Sequence, residues 1–268
     1  MADVVAEIDG PVGIVRLDRP NKLNAVTFTM IAEIERAIRE LAADERVTGI
    51  VVTASGRGFC AGLDLEDLAR ATSTGSGSSS HRDPEDLPAL FSYILRIPKP
   101  VIAAVNGVAA GGGFVLAMMC DLRFAAEHGA SFTTTFSKRG LISEHGTSWL
   151  LPRLVGTNGA LDLLWSSRRI DAAEAHRMGF VDRVVPDDRL LEEACDYVRD
   201  LAANVSPRSL ARTKALVLRG WSLPLREALE EVDSEMDAAL SHPDATEGVA
   251  SFVERRPPRF QPWTGGLL

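Results

Sequence analysis

Cysteine is scarce. Cys60, Cys120 and Cys195 are the whole supply in 268 residues, an odd number with no CxxC spacing. A disulfide framework or a cysteine-built zinc site is therefore not expected, and a reducing compartment, the cytoplasm, is. Histidine is thin too: five residues, scattered, with no HExxH. Positive charge is in deficit, with Lys+Arg 29 against Asp+Glu 37 and a formal charge of −8. Without a basic field, a nucleic-acid partner is not expected. The N-terminal stretch MADVVAEIDG has no basic leader region, which argues against a signal peptide. One long uncharged run exists, VIAAVNGVAAGGGFVLAMMC over residues 101–120. Its length would suit a membrane span. However, Pro100 precedes it, and Asn106-Gly107 and Gly111-Gly112-Gly113 break it, so it reads as a strand, a turn and a new helix. No membrane partner is expected.

What remains is the composition of an ordinary globular chain, 46% hydrophobic and 25% charged, long enough to bury a core without staples. The first half alternates strands and helices. Residues 4–8 and 12–18 read as paired strands around the turn Asp9-Gly10-Pro11. Thr27 is placed to cap a helix running to Ala43, with Ile31, Ile34, Ala37, Ile38 and Leu41 on one face. Three short apolar runs follow as buried strands: GIVVTA (49–54), PVIAAV (100–105) and DLRFAA (121–126). The Ser/Gly-rich stretch 71–86 reads either as a plain surface loop or as a flap beside a pocket. The second half is mainly helical. Asp171 is a helix cap with Glu174 at its third position, and residues 187–203, 207–219 and 223–240 are further helices. The C-terminal RRPPRFQPWTGGLL should be irregular.

Two glycine segments carry the chemical signal. GRGFCAGLDL (56–65) directly follows GIVVTA, and NGVAAGGGF (106–114) directly follows PVIAAV. Each puts small residues where a strand ends and a helix-like stretch begins. Exposed backbone N–H groups at such junctions are anion receptors, and two converging would form an oxyanion hole. Tight-turn geometry alone would equally explain either cluster.

Together with VGIVRLDRPNKLNAV, GLISEHGTSWLLPRLVG and IDAAEAHRMGFVDRVVP, these segments resemble the crotonase, or enoyl-CoA hydratase/isomerase, superfamily over nearly the whole chain. The resemblance implies an α/β fold, a spiral of ββα units over residues 1–200 with a helical trimerisation region over residues 201–268. It implies a homotrimer or a dimer of trimers, acyl-CoA thioester substrates, and no cofactor beyond the coenzyme A of the substrate. Carried over residue by residue, it places the two oxyanion-hole N–H groups on Leu63 and Gly112. It also places CoA contacts at Lys22 and Leu23 and along Ala61, Gly62, Asp64 and Leu65. Lys22 reads equally as a solvated surface lysine, and Asp64 as the cap of the helix that follows.

The two glutamates of familiar hydratases are missing, since their positions hold Val115 and Phe136. A different carboxylate, Glu144 in GLISEHG, stands where several isomerases of the family carry their acid. One carboxylate suffices for a 1,3-proton shift: it takes a proton α to the thioester and returns it at the γ carbon. Apolar walls from Phe136, Val115 and Trp149 would bury it partly and raise its basicity. Arg139 is a possible ion-pair partner, and the adjacent His145 reads chiefly as a packing or hydrogen-bonding residue. Cys60 has no partner that would make it a nucleophile, and Asp121 reads as structural. Residues 71–98 and 136–150 are expected to shape the tail pocket. Phe252, Arg255 and Arg256 are weaker candidates for touching CoA. A one-acid hydratase and a silent acyl-CoA-binding oligomer stay open beside the isomerase.

Overall fold

A computed structural model describes residues 2–67, 69 and 87–268; the 71–86 stretch weighed above as loop or flap lies outside the described residues. The chain winds through two sheets. Strands β1 (Val4–Asp9), β2 (Val12–Leu17), β3 (Gly49–Ala54), β5 (Val101–Val105), β7 (Leu122–Ala126) and β10 (Arg183–Val185) form one, in that order. Strands β4 (Gly58–Cys60), β6 (Val108–Ala110), β8 (Ser131–Thr133) and β9 (Ile170–Asp171) form the other. Each winding therefore lays one strand in the first sheet and the next in the second: β3 then β4, β5 then β6, β7 then β8. All pairs are parallel except β1 with β2 and β8 with β9.

The sequence explains this layering. GIVVTA and VIAAV are buried at every position, as strands covered on both faces must be. The corners between the sheets are short and polar, and the Asn106 amide donates across one of them to Gly56 O at 2.8 Å, stacking two windings. Helix α1 (Phe28–Ala43) starts where Thr27 accepts from the Met30 N–H, and it buries Met30, Ile34, Ala37, Ile38 and Leu41.

The glycine segments do not lead straight from strand to helix, as their sequence suggests. Three-residue strands β4 and β6 intervene, too short to show a period of two. After β6 comes α2 (Gly112–Met119), buried from Gly113 onward. Phe114 on this helix stacks on Phe180 at 4.6 Å, and Phe132 of β8 meets the same ring edge-on at 5.3 Å. That cluster fixes where the N-terminus of α2 points.

The second half is helical, as expected: α3 (Thr147–Ser166), α4 (Ala172–Arg177), α5 (Leu190–Asn204), α6 (Pro207–Gly220), α7 (Leu225–Leu240) and α8 (Pro243–Glu254). Asp171 caps α4 by accepting from the Glu174 N–H at 2.7 Å. Helices α3 and α8 were not legible in the sequence. α3 is interrupted at Gly156, whose φ of 73° and ψ of 162° are not helical, and it contains Pro152, so its apolar residues follow no single face. α8 begins with His242 accepting from the Asp244 N–H, an uncommon cap. Among the described residues no helix is long and apolar enough to cross a membrane.

Candidate active site

The glycine segments meet. Gly62 has a φ of 104°, and a Cβ there would lie 2.9 Å from Ala110 O and 3.5 Å from Gly112 N. A Cβ on Gly113 would lie 2.0 Å from Cys60 O. The two turns are thus in backbone contact, which only glycine permits. Val26 N–H donates to Gly62 O at 2.8 Å and Asp64 N–H donates to Val26 O at 2.9 Å, making a parallel bridge at Leu63. The Leu63 N–H between them therefore points the other way. Gly112 is the first residue of α2, where N–H groups have no intrahelical acceptor. A Cβ on Gly112 would sit 3.7 Å from Leu63 N, and neither amide has an acceptor among the described residues. Two free donors side by side at a helix N-terminus constitute an anion receptor.

Beside them lies a cavity of about 100 Å³, lined by Gly62, Leu63, Gly111 and Gly112 on one side and by Phe136, Arg139, Leu141, Glu144 and His145 on the other. Val26, Phe28, Ile31 and Leu90 line it as well. Its volume is smaller than the ~300–1,000 Å³ of a drug-sized site. The cavity therefore brings together Leu63, Gly112 and Glu144, the three residues expected to act together.

The segment carrying Glu144 is held by its backbone. Glu144 O accepts from the Thr147 N–H at 3.2 Å and from the Thr147 hydroxyl at 2.8 Å. His145 and Gly146 both have positive φ, 55° and 75°, which turns the chain into α3. The acid's surroundings differ from the sequence expectation. Its side chain is 51% exposed, and of the three proposed walls only Phe136 lines the cavity. Val115 is sealed in the core, facing away on α2, and Trp149 packs on Trp221 instead, 5.3 Å apart. Arg139 shares the cavity but makes no ion pair with Glu144; that carboxylate meets His145 Nε2 at 3.2 Å.

The remaining candidates lie around this centre. Asp64 faces away: its carboxylate accepts from Arg19 Nη1 at 2.7 Å and from the Glu66 N–H at 3.0 Å. The Arg19 guanidinium holds its pKa below the usual carboxylate range. The cap reading of Asp64 is what the geometry displays. Ala61 lines the cavity, Leu65 is exposed, and Lys22 and Leu23 form a 3₁₀ turn and its cap outside it. Leu23 still supports the cradle, since its carbonyl accepts from the Ala61 N–H. Burial pushes the Cys60 thiol up to about 12, so it is no nucleophile at neutral pH. Asp121 accepts from the Val101 N–H and from Lys214 Nζ, a structural tie between β5 and α6. Phe252 is exposed on α8, and Arg256 pairs with Glu247 and Glu254.

Two residues had no individual signal in the sequence. Leu90 sits in an unpatterned stretch after the Ser/Gly-rich segment, yet it forms a wall of the cavity. Asn24 is fully buried at a φ of 54°. Its amide donates to Ser55 O and Gly58 O, and its Oδ1 accepts from the Arg19 N–H. It thereby fastens the turn after β2 to the turn before β4.

Comparison with known proteins bears on the family and the fold. The enoyl-CoA hydratase/isomerase family model matches residues 7–262. A Mycobacterium tuberculosis protein named a probable enoyl-CoA hydratase is 36% identical over 96% of this chain and 97% of its own. The 1,2-epoxyphenylacetyl-CoA isomerase of Escherichia coli is 33% identical over 97% of this chain and 98% of its own. The crystal structure of an enoyl-CoA hydratase from Polaromonas superposes with a TM-score of 0.86 at 31% identity, covering 96% of this chain and 99% of that one.

Proposed function

The chain belongs to the enoyl-CoA hydratase/isomerase family of acyl-CoA enzymes, and from that premise we propose that it moves a carbon–carbon double bond within an acyl-CoA thioester. The reading rests on one observation: among the described residues, the cavity that holds two free amides, Leu63 and Gly112, holds a single carboxylate, Glu144. The thioester oxygen sits between the amides. Glu144 removes a proton from the α carbon of a 3-enoyl-CoA, the amides hold the dienolate, and the same carboxyl returns the proton to the γ carbon. The other positions at which a familiar hydratase holds its acids are Val115 and Phe136, and neither side chain transfers protons. An amide donor of this kind contributes about 3 kcal/mol to lowering the barrier, and the acid about 100-fold or more in rate. Turnover of a 3-enoyl-CoA by the wild type and by Glu144→Gln tests it. A large loss is expected, and equal rates reject the assignment.

A second reading draws support from the exposure of Glu144. A carboxylate half open to solvent can also orient water, which a one-acid hydratase needs, and relatives named hydratases share the fold. Incubating a 2-enoyl-CoA in ¹⁸O-labelled water separates the two, because only the hydratase gives a labelled 3-hydroxyacyl product.

Trimeric assembly is part of the same proposal. Leu225, Leu229, Val232, Met236 and Leu240 recur at helical spacing along α7 and stay between 40% and 75% exposed, an apolar stripe that a second copy would cover. Sedimentation of the wild type beside Leu229→Glu checks it: a trimer or hexamer is expected for the former and smaller species for the latter.

A further inference from the structure

We infer that His145 is a positioning residue, a fixed hydrogen-bond donor that aims the Glu144 carboxylate across the cavity, and is not itself the base. The inference rests on Glu144 being the proton carrier, and it concerns how that carrier is held.

One hydrogen bond fixes the state of the ring. The backbone N–H of Leu90 points at His145 Nδ1, 3.3 Å away. A peptide N–H can only donate, so Nδ1 must be the acceptor, and a neutral imidazole that accepts at Nδ1 carries its proton on Nε2. Nε2 lies 3.2 Å from Glu144 Oε1. The tautomer is therefore set by the main chain, and the edge of the ring that carries the Nε2 proton lies against the carboxylate, 3.2 Å from Oε1. In this arrangement the ring's one lone pair is engaged by the Leu90 N–H and its other nitrogen carries the proton, which leaves the neutral ring no lone pair to accept a substrate proton.

The backbone supports the arrangement. His145 has a φ of 55°, a left-handed conformation that histidine adopts more readily than most residues. That bend swings the ring back over its own neighbour, so two adjacent side chains reach the same cavity. Leu90 completes the link, because a Cβ on Gly112 would lie 3.7 Å from Leu90 Cδ2. One residue thus faces the amide cradle across the cavity with its side chain and donates to the imidazole with its main chain. The carboxylate is half exposed and its segment offers no apolar wall beyond Phe136 and Leu141. Without the imidazole, the glutamate side chain would sample several rotamers in water, and misplacement by about 1 Å can cost about 100-fold.

Two experiments on the full chain test this. The first needs no substrate: long-range ¹H–¹⁵N correlation of the imidazoles, assigned by the loss of one ring in His145→Gln. A ring protonated at Nε2 and bare at Nδ1 is expected, and the opposite tautomer overturns the proposal. The second compares His145→Ala, His145→Gln and His145→Asn on a 3-enoyl-CoA, with Glu144→Gln as reference. Alanine and glutamine share a left-handed backbone strain that asparagine, like histidine, tolerates, so alanine against glutamine isolates the group restored. Glutamine restores a donor near the place of Nε2, whereas asparagine restores only an acceptor near the place of Nδ1. A fall in kcat of about 10- to 100-fold with little change in KM is expected for alanine, with partial recovery in glutamine and none in asparagine. Recovery by asparagine alone would make His145 a mere stitch to Leu90 and overturn the proposal. Three active variants beside a dead Glu144→Gln would overturn it while leaving Glu144 as the base. An active Glu144→Gln would remove the proton carrier and the positioning role with it.

Discussion

The two sides of the cavity are built on opposite terms. The cradle side is main chain: Gly62, Leu63, Gly112 and Gly113 lie in backbone contact, over strands that are fully buried. The acid side is side chain: Glu144 projects from a turn in which Leu141 and Ile142 are exposed and held mainly by the start of α3. On the proposed reading, the rigid amides polarise the thioester oxygen and Glu144 decides which proton moves. That carboxylate stands on an exposed turn, where residues change without disturbing the core.

The comparison breaks most readily at Gly113. A methyl group there would overlap Cys60 O at 2.0 Å and Cys60 C at 2.7 Å, and neither backbone has room to retreat between β4 and α2. Gly113→Ala should destabilise the chain by about 3 kcal/mol or more, visible as a drop in thermal midpoint or as insoluble expression. Glu144→Gln should do the reverse: turnover falls by about 100-fold or more while the thermal midpoint stays put, since an exposed neutral isostere replaces an exposed acid. If Glu144→Gln melted early, or Gly113→Ala were tolerated, the division between cradle and acid turn would be wrong.

Asn24 sharpens the comparison from below the cradle. Truncation to alanine takes the side-chain partner from the part-buried Ser55 carbonyl and Arg19 N–H, and leaves the buried Gly58 carbonyl only the long 3.5 Å contact from the Asn106 amide. A loss of about 2–3 kcal/mol is expected from chemical denaturation. On the acid side, Gly140 has a φ of 69° with open space around its Cα, so Gly140→Ala meets only left-handed backbone strain. It should cost about 1 kcal/mol, less than the buried substitutions.

The sequence made the cradle side more legible than the acid side, for a physical reason. Buried parallel strands need uninterrupted apolar runs, and backbone contact needs glycine, so GIVVTA, PVIAAV and the GGG run advertise their places. The expected limits 49–54 match β3, and Thr27 caps α1 as read. Strands β4 and β6 were hidden because three residues carry no periodicity, and α3 because Gly156 and Pro152 interrupt its pattern. Glu144 could be singled out by its motif, but not its exposure. Burial is set by which neighbours fold back, and here Val115 and Trp149 turn to other partners. Leu90 was invisible individually, because its contribution is a main-chain N–H and a place in space, neither of which residue type encodes.

The smallest expected effect is electrostatic and belongs to the cradle. Asp64 follows Leu63 directly, and its carboxylate, bonded to Arg19 and to the Glu66 N–H, has a pKa lowered from the ordinary 3.8. A lowered folded-state pKa means that the unfolded chain takes up the proton first as pH falls. The stabilisation is therefore complete above the ordinary aspartate range and is lost as pH drops through the lowered value. Asp64→Asn cannot titrate and lacks this pH-dependent contribution. The denaturation midpoints of wild type and Asp64→Asn should therefore be furthest apart above the ordinary aspartate range and converge as pH falls below it. A gap that stayed constant over that range would mean that the Arg19–Asp64 pair does not brace the cradle through its charge, leaving the Val26–Leu63 bridge and the glycine contacts to hold the amides alone.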